Sequence, residues 1–318
     1  MTGNEQSNVL VITGPTASGK SGAALAVAEE FGGAVVNADS MQVYRDLRIL
    51  TARPSEVDEA RVPHLLYGRL AASELCTAAG WCDMALEAIE EQISHGQLPI
   101  LCGGTGLYLK ALMEGLSPVP DIPDDIRAAV RARLGCEGSE MLHEELAARG
   151  DPIAARLAPT DRQRIARAFE VFEATGQSLA TWQAAPRQGI PEHLRFHTIL
   201  IDPPRDALYR SCERRFGEMV ENGAIEEVQE LMALNLDPGL PAMKALGVQE
   251  LAGFLDGTNS LDEAIAAAQQ ATRRYAKRQV TWFRNQMIPK MHIKEQFLER
   301  LKDKLFSFII KKRLTRVF

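Results

Sequence analysis

The pattern of hydrophobic positions divides the chain into two kinds of sequence. Over the first 115 residues, short apolar runs alternate with segments of helical character. The three runs are VLVIT, GGAVVNADS and LPILCGGTG, and each ends in small or polar residues. Short apolar runs of this kind are typical of buried strands, and their alternation with helices is typical of parallel sheets. The pattern therefore predicts an α/β fold with a parallel sheet flanked by helices.

From residue 116 onward the hydrophobic pattern changes. The Pro- and Asp-rich segment SPVPDIPDD indicates a boundary, and helical patterns alone follow it to about residue 181. A strand candidate at 197–202 returns the chain to the sheet, and helices then dominate. We therefore predict an all-helical insertion domain. The predicted divisions are a first part of the core at 1–118, the insertion at 119–190, a mostly helical return to the core at 191–286, and a basic tail at 287–318.

The tail differs in composition from the rest, because Lys, Phe, Ile and Leu replace Ala and Glu after Gln286. Its apolar patch FSFII is compatible with a terminal amphipathic helix or with a frayed extension. The excess of basic side chains predicts a salt-dependent, non-specific affinity for RNA.

The composition is that of an ordinary globular protein. Of 318 residues, 46% are hydrophobic and 25% are charged, and no apolar run approaches the length of a membrane span. The polar start MTGNEQSN lacks a signal pattern, and five cysteines without metal spacing favour reduced thiols, so we expect a cytoplasmic protein. The net charge of −6 argues mildly against nucleic acid, but arginines cluster locally, and local patches create such binding sites.

The segment GPTASGKS at 14–21 is the most informative motif. It matches G-x-x-x-x-G-K-[ST], the phosphate-binding loop, and it lies between an apolar β-branched run and an Ala-rich helical stretch. In this arrangement backbone N–H groups and a helix N-terminus point at an anion. Lys20 would add a charge and Ser21 a hydroxyl ligand for Mg²⁺. The motif predicts a phosphorylated ligand without naming it.

Two further segments follow predicted strands and should lie beside this loop, since ligands bind at the carboxyl ends of parallel strands. Asp39 begins the segment Asp-Ser-Met-Gln, and its carboxylate could be a Mg²⁺ ligand, a general base or a helix N-cap. Thr105 lies among three glycines at 103–106, which allow a close approach of backbone to a ligand.

Basic residues also recur on two predicted helices. Arg210, Arg214 and Arg215 share one helix, where they could bind an anion or pair with neighbouring glutamates. The segment 273–282 places basic residues beside Tyr275 and Trp282, which suits stacked or flipped bases, although Trp282 could equally belong to the core. Three function classes fit these patterns. They are a small-molecule kinase with Asp39 as base, a transferase acting on RNA with pyrophosphate as leaving group, and an RNA-binding protein with a relic phosphate loop.

Taken together, the motifs resemble the tRNA dimethylallyltransferases. The resemblance covers residues 9 to about 284 and rests on motifs that occur in the family's order. These are GPTASGKS at 14–21, NADSMQVYR at 37–45, TARP at 51–54, GGTGLYLKAL at 103–112, DRQRIARAFEV at 161–171, ALGVQE at 245–250 and TRRYAKRQVTWFR at 272–284.

This resemblance implies transfer of a dimethylallyl group from dimethylallyl diphosphate to N6 of adenosine 37 in the tRNA anticodon stem-loop, by a monomeric enzyme that uses Mg²⁺. It implies catalytic roles for Asp39 as general base, Thr105 and Arg215, and a metal ligand in Ser21. The diphosphate would bind to Gly14, Pro15, Thr16, Ala17, Ser18, Gly19, Lys20 and Ser21. The tRNA would contact Asp39, Ser40, Met41, Gln42, Thr105, Arg127, Gln163, Arg164, Ile165, Ala166, Arg167, Ala245, Leu246, Gly247, Val248, Gln249, Glu250, Arg274, Lys277 and Arg278.

The chain departs from the family pattern at three positions. Ser211 stands where the family usually has an arginine, four residues before Arg215. Leu65 follows Pro63-His64, at a position where the family often has a histidine or an arginine. Arg53 stands where the family commonly has a lysine, so the positive charge is conserved in this chain.

Overall fold

The structure, a computed structural model, describes residues 6–297 and 299–314. It divides into two compact units. One consists of residues 1–113 and 191–318, and the other of residues 114–190. The helices, in chain order, are α1 Lys20–Phe31, α2 Glu56–Arg61, α3 Ala78–Ser94, α4 Gly106–Glu114, α5 Asp124–Ala148, α6 Arg162–Thr175, α7 Leu179–Ala184, α8 Arg205–Glu221, α9 Ala224–Ala233, α10 Val248–Leu255, α11 Leu261–Gln286 and α12 Lys302–Lys311.

The first unit is built on a six-stranded sheet with the order β3-β2-β4-β1-β5-β6. Every neighbouring pair of strands is parallel, which confirms the predicted α/β class. The strands end at one edge, because Thr13 of β1 pairs with Gly103 of β4 and with Leu200 of β5. Their bounds are β1 Ser7–Thr13, β2 Gly33–Asn37, β3 His64–Leu65, β4 Leu98–Gly103, β5 Leu194–Ile201 and β6 Met291–Ile293.

The central strands are apolar without alternation because both faces of the sheet are covered. Val9, Leu10, Val11 and Ile12 of β1 are fully buried. On one face Leu10 and Ile12 belong to a core cluster that includes Val27 of α1. Burial of such side chains contributes about 1.5–3 kcal/mol each, so the strand before the phosphate loop is held rigidly in place.

The second unit is built of helices. The sequence predicts separate helices at 124–134 and 139–150, and α5 does consist of two helical segments, separated by a non-helical kink at Gly138, whose φ is 83°. Ile165 and Phe169 of α6 pack against Val130 and Leu142 of α5 in one apolar core. Helix α6 ends at Gly176 in the left-handed conformation, as its sequence predicts.

Residues 287–297 and 299–314, predicted as a basic tail, belong to the first unit. Strand β6 extends the sheet beside β5, which the sequence did not predict. Helix α12 confirms the amphipathic-helix interpretation, because Leu305 and Ile309 are fully buried in the same core cluster as Val27 of α1. Among the described helices, none combines the length and apolar character that crossing a membrane requires.

Candidate active site

The phosphate-binding loop connects β1 to α1 at the edge where the strands end. A Cβ atom on Gly14 would lie 2.2 Å from the carbonyl oxygen of Ile201, so only glycine fits the turn. Ala17 and Gly19 have φ angles of 62° and 90°, which bend the backbone around a concave face. The hydroxyl of Ser18 is buried without a hydrogen-bond partner in the structure. An anion in the loop would give such polar groups a partner.

Lys20 is the buried cation of this loop. Its side chain is 9% exposed, and its Nζ donates a hydrogen bond of 3.4 Å to the carbonyl oxygen of Pro15. Burial lowers the pKa of Lys20, while the charge of Asp39 acts in the opposite direction. A desolvated ammonium group attracts an anion more strongly than an exposed one, because water screens it less.

Gln279 of α11 ties the phosphate loop to the end of β4. Its Oε1 accepts a hydrogen bond of 2.8 Å from the backbone N–H of Thr16, and its Nε2 donates one of 2.9 Å to the carbonyl of Gly104. Arg215 of α8 donates a hydrogen bond to the hydroxyl of the same threonine. Burial lowers the pKa of Arg215. These contacts place a guanidinium beside the loop and fix the spacing of two strand ends.

Asp39 follows β2 and begins a turn. Its Oδ1 accepts a hydrogen bond of 3.0 Å from the backbone N–H of Met41, and turn residues rather than a helix follow. The helix N-cap interpretation of this carboxylate is therefore wrong. Asn37 fixes the turn from the other side, because its Oδ1 accepts from the N–H of Asp39. The carboxylate is thus held in place at the end of its strand.

Thr105 joins the ends of β2 and β4. Its Oγ1 accepts a hydrogen bond of 2.9 Å from the backbone N–H of Ser40 and donates one of 3.2 Å to the Ser40 hydroxyl. The two strand ends approach so closely that a Cβ on Gly103 would lie 2.0 Å from the carbonyl oxygen of Ala38. Tyr275 lies near Thr105, and burial raises the pKa of its hydroxyl. The structure thus brings the predicted segments after β1, β2 and β4 together.

Two cavities open at this edge. The first, the phosphate-loop cavity, has a volume of about 510 Å³ and is lined by residues 16–22 of the loop together with charged side chains that include Arg53 and Arg215. The second, the apolar cavity, has a volume of about 250 Å³ and is lined by Met41, Phe216, Tyr275 and other residues. The residues that line both cavities are Thr16, Asp39, Thr51 and Arg215.

The carboxylate of Glu227 in α9 holds the turn at residues 48–50 in place, next to both cavities. Its carboxylate accepts hydrogen bonds from three successive backbone N–H groups, those of Arg48, Ile49 and Leu50, at 2.5, 2.7 and 2.9 Å. The residue after this turn, Thr51, lines both cavities. Glu227 therefore positions a shared wall without lining either cavity.

The predicted RNA contacts of the first unit fall into three groups. Ser40, Met41, Ala245, Leu246 and Arg278 line the apolar cavity. Gln42 lines the phosphate-loop cavity, and its Nε2 donates to the carbonyls of Thr51 and Ala52, both at 2.8 Å. Gly247 and Val248 are buried, Glu250 caps the N-terminus of α10, and three side chains are exposed on the surface, namely Gln249, Arg274 and Lys277.

The predicted RNA contacts of the second unit are divided by burial. Gln163 and Arg164 are exposed on α6, and Arg167 pairs with Glu170 at 3.5 Å. Ile165 and Ala166 lie in the apolar core, where their side chains cannot face a ligand. Arg127 donates from Nε to the carbonyl of Ile122 at 3.1 Å. The polar members of the set are therefore its remaining candidates for contact through side chains.

Several residues of this site escaped the sequence analysis. Gln279 was included only in a quoted motif, and nothing in the pattern distinguishes its side chain from those of the surrounding polar residues. His64 and Tyr67 line the phosphate-loop cavity, with the ring of Tyr67 close to that of His64. Gln296, from the predicted tail, also lines it. Only their positions in the fold identify these side chains.

The residues present fit a magnesium ion bound together with phosphate. Within residues 6–297 and 299–314, no group of three or more His, Cys, Asp or Glu could hold a metal. The phosphate-loop cavity does contain oxygen donors, the hydroxyl of Ser21 and the carboxylate of Asp39. Magnesium often binds through one or two protein oxygens and the phosphates of a substrate, and this donor set matches that coordination preference.

Comparisons with known proteins identify the family of this chain. The family model "IPP transferase" matches residues 42–286. This chain belongs to the IPP transferase family. A tRNA dimethylallyltransferase of Paramagnetospirillum magneticum is 53% identical over 96% of this chain and 97% of its own length. One of Rhodospirillum centenum is 55% identical over 88% of this chain and 89% of its own length.

Solved structures of the IPP transferase family share the fold. A tRNA isopentenylpyrophosphate transferase of Bacillus halodurans is 31% identical, with a TM-score of 0.68 and coverage of 98% of this chain and 97% of its own. A eukaryotic dimethylallyltransferase, described as acting on tRNA, is 26% identical with a TM-score of 0.72, over 87% of this chain and 70% of its own. The family resemblance found in the sequence is thus confirmed.

Proposed function

We propose that this protein transfers the dimethylallyl group from dimethylallyl diphosphate to N6 of adenosine 37 in a tRNA anticodon loop and releases pyrophosphate. The observation that carries the proposal is the pair of cavities that share Asp39 and Arg215. One cavity is suited to a diphosphate and the other to a planar base. A reaction between the two ligands would take place at their common wall.

In this reaction the N6 amine attacks C1 of the allyl group, the bond from C1 to the diphosphate oxygen breaks, and N6 loses a proton. An exocyclic amine is a poor nucleophile, so a nearby base assists it. Asp39 accepts the proton in this proposal, since its carboxylate lines both cavities. Thr105, whose hydroxyl accepts a hydrogen bond from the backbone N–H of Ser40, orients the amine and the carboxylate relative to each other.

The leaving diphosphate gains negative charge as the bond breaks, and fixed donors stabilise that charge. Donors available in the phosphate-loop cavity are the backbone N–H groups of Ala17 and of residues 19–21, the ammonium of Lys20 and the guanidinium of Arg215. Bound Mg²⁺, held by Ser21 and the phosphates, would neutralise part of the same charge.

The acceptor adenosine has to leave the stacked anticodon loop to reach Asp39, at a cost of about a few kcal/mol. The apolar cavity offers Tyr275 and Met41 as faces against which a base can pack, and Arg278 at its rim as a phosphate contact. We assign the remaining stem-loop contacts to exposed basic side chains, among them Arg164 of the second unit. Consistent with the resemblance, the enzyme acts as a cytoplasmic monomer in this proposal.

The test supplies the protein with Mg²⁺, an anticodon stem-loop carrying adenosine at position 37, and labelled dimethylallyl diphosphate. A parallel reaction contains labelled ATP instead. We expect label in the RNA only with the allyl donor, and none when guanosine replaces adenosine 37. Transfer of phosphate from ATP to a small acceptor, with no label in RNA, would replace the proposal by the kinase interpretation.

A further inference from the structure

Gln296 and Phe297, which follow β6, contact the phosphate loop. The backbone N–H of Phe297 donates a hydrogen bond of 3.2 Å to the carbonyl of Ser18. The contact is close, because a Cβ atom on Gly19 would lie 3.0 Å from both the Cβ and the carbonyl oxygen of Phe297. Part of the predicted basic tail thus forms one side of the loop that receives the anion.

Gln296 places its side chain in the phosphate-loop cavity. Its Oε1 accepts a hydrogen bond of 3.1 Å from the hydroxyl of Ser211, and its Nε2 lies 3.5 Å from the carbonyl oxygen of Ala17. Because a carbonyl oxygen can only accept, the contact with Ala17 fixes Nε2 as the end of the amide that faces the loop, and the hydroxyl of Ser211 donates to the other end. The free end is the NH₂ group, which has two donor hydrogens and makes one long hydrogen bond.

Ser211 is 8% exposed and lines the cavity together with Arg214, Arg215 and Gln296. The side chain of Gln296, which comes from a distant part of the chain, therefore supplies a neutral donor beside two arginines.

We propose that Gln296, held by Ser211 and by the carbonyl of Ala17, binds the diphosphate through its Nε2. This inference rests on the proposed function, in which the loop holds a diphosphate. It also assigns a role to residues 291–297 and 299–314, since β6 and the buried Leu301, Leu305 and Ile309 hold Gln296 against the loop. The segment serves the allyl donor rather than the RNA.

The test measures affinity for inorganic pyrophosphate in the presence of Mg²⁺ by titration calorimetry, and separately the KM for each substrate. Gln296→Leu removes the donor and keeps the bulk, so we expect pyrophosphate binding and the KM for dimethylallyl diphosphate to weaken about fivefold, as for loss of one neutral hydrogen bond. The KM for the stem-loop should not change. Lys294→Gln, an exposed neighbour on the same segment, is the matched control and should leave both values unchanged.

Two further variants separate a binding role from a structural one. Gln296→Glu keeps the shape and an acceptor for Ser211 but places a carboxylate in the cavity, so we expect a weakening of more than tenfold with an unchanged melting temperature. Ser211→Arg in the Gln296→Leu background should restore pyrophosphate binding to within about twofold of the wild type, because a charged donor is stronger than a neutral one.

The outcomes distinguish this inference from the proposed function. If the wild-type protein binds no pyrophosphate, the proposed function itself is overturned. If the wild type binds pyrophosphate and both Gln296 variants bind it equally well, the diphosphate site stands and the role of Gln296 is overturned. A rise in the KM for the stem-loop alone would show that the segment contacts RNA, which also contradicts the inference.

Discussion

The phosphate-loop cavity and the apolar cavity open at the same edge of one sheet, yet their walls differ in chemistry. The first is formed by backbone N–H groups and buried cations such as Lys20, all fixed before any ligand binds. The second combines apolar and aromatic side chains such as Met41, Phe216 and Tyr275 with the charged side chains of Lys244 and Arg278. A small, highly charged ligand gains most from donors already in position, whereas a base gains most from flat apolar surfaces. The residues shared by both walls are where a bond between the two ligands can form.

The comparison is tested most severely by Asp39→Ala, since Asp39 belongs to both walls. We expect kcat to fall about 10²–10⁴-fold, the usual contribution of a general base. Pyrophosphate and the stem-loop should still bind within about threefold of the wild type, because each retains its own cavity. Single-turnover kinetics with separate binding measurements check this, and turnover close to that of the wild type would remove Asp39 from the mechanism.

Lys20→Ala addresses the phosphate-loop cavity alone. Loss of a preorganised cation should reduce kcat/KM for dimethylallyl diphosphate about 100-fold or more, with no change in the dissociation constant of the stem-loop. Burial lowers the pKa of Lys20 in the free protein, and a bound diphosphate raises it again, so binding takes up a proton at pH values above the pKa of free Lys20. Pyrophosphate affinity should therefore fall as the pH rises through the pKa of free Lys20. In the alanine variant this component of the pH dependence should be absent.

Arg278→Ala addresses the apolar cavity alone. Arg278 lies 5.6 Å from the ring centre of Tyr275 and lines this cavity at an exposed position. Removal of a phosphate contact should weaken stem-loop binding about tenfold and reduce the slope of log K against log salt concentration by about one. The KM for dimethylallyl diphosphate should not change. Arg210→Ala, an exposed residue that lines neither cavity, is the matched control.

Glu227→Gln tests the wall shared by both cavities through a residue that lines neither of them. The amide keeps the shape of the carboxylate but loses the charge that three backbone N–H groups share, so we expect a loss of about 1–2 kcal/mol in the free energy of unfolding. Both KM values should rise together, about two- to threefold, because Thr51 lines both cavities. Glu226→Gln changes the exposed neighbour on the same helix and should alter neither quantity. A rise in only one KM would contradict a shared wall.

Local patterns predicted the phosphate-loop side of the molecule well. Residues 9–21 combine an apolar run, a glycine motif and a helical stretch, and each of these signals depends on neighbouring residues. The same holds for the end of α6 at Gly176. The ends of β2 and β4 could be placed beside the loop because parallel strands share an edge. The class of fold and the family followed from such segments.

The supporting contacts could not be predicted, because they join residues that are far apart in the chain. Gln279 contacts Thr16 and Gly104, and Glu227 contacts the turn at 48–50. Neither residue differs from its polar neighbours in local pattern. The three residues of β6 are too few to give a periodic signal, so the sequence could not predict that Gln296 lies beside the phosphate loop. Only the tertiary structure shows which of the many polar side chains in the sequence make these contacts.

The position of β6 and α12 also has a consequence for how the protein is made. Strand β6 pairs with β5, and α12 packs in the same core cluster as α1, so the support of the phosphate loop includes residues from both ends of the first unit's sequence. A ribosome synthesises β1 and α1 long before it synthesises β6 and α12. During that interval β5 is an unpaired strand edge, and such edges promote aggregation. We therefore expect nascent chains to depend on chaperones until residue 314 has left the ribosome, and truncated chains to be degraded even though every motif of the family is present in them.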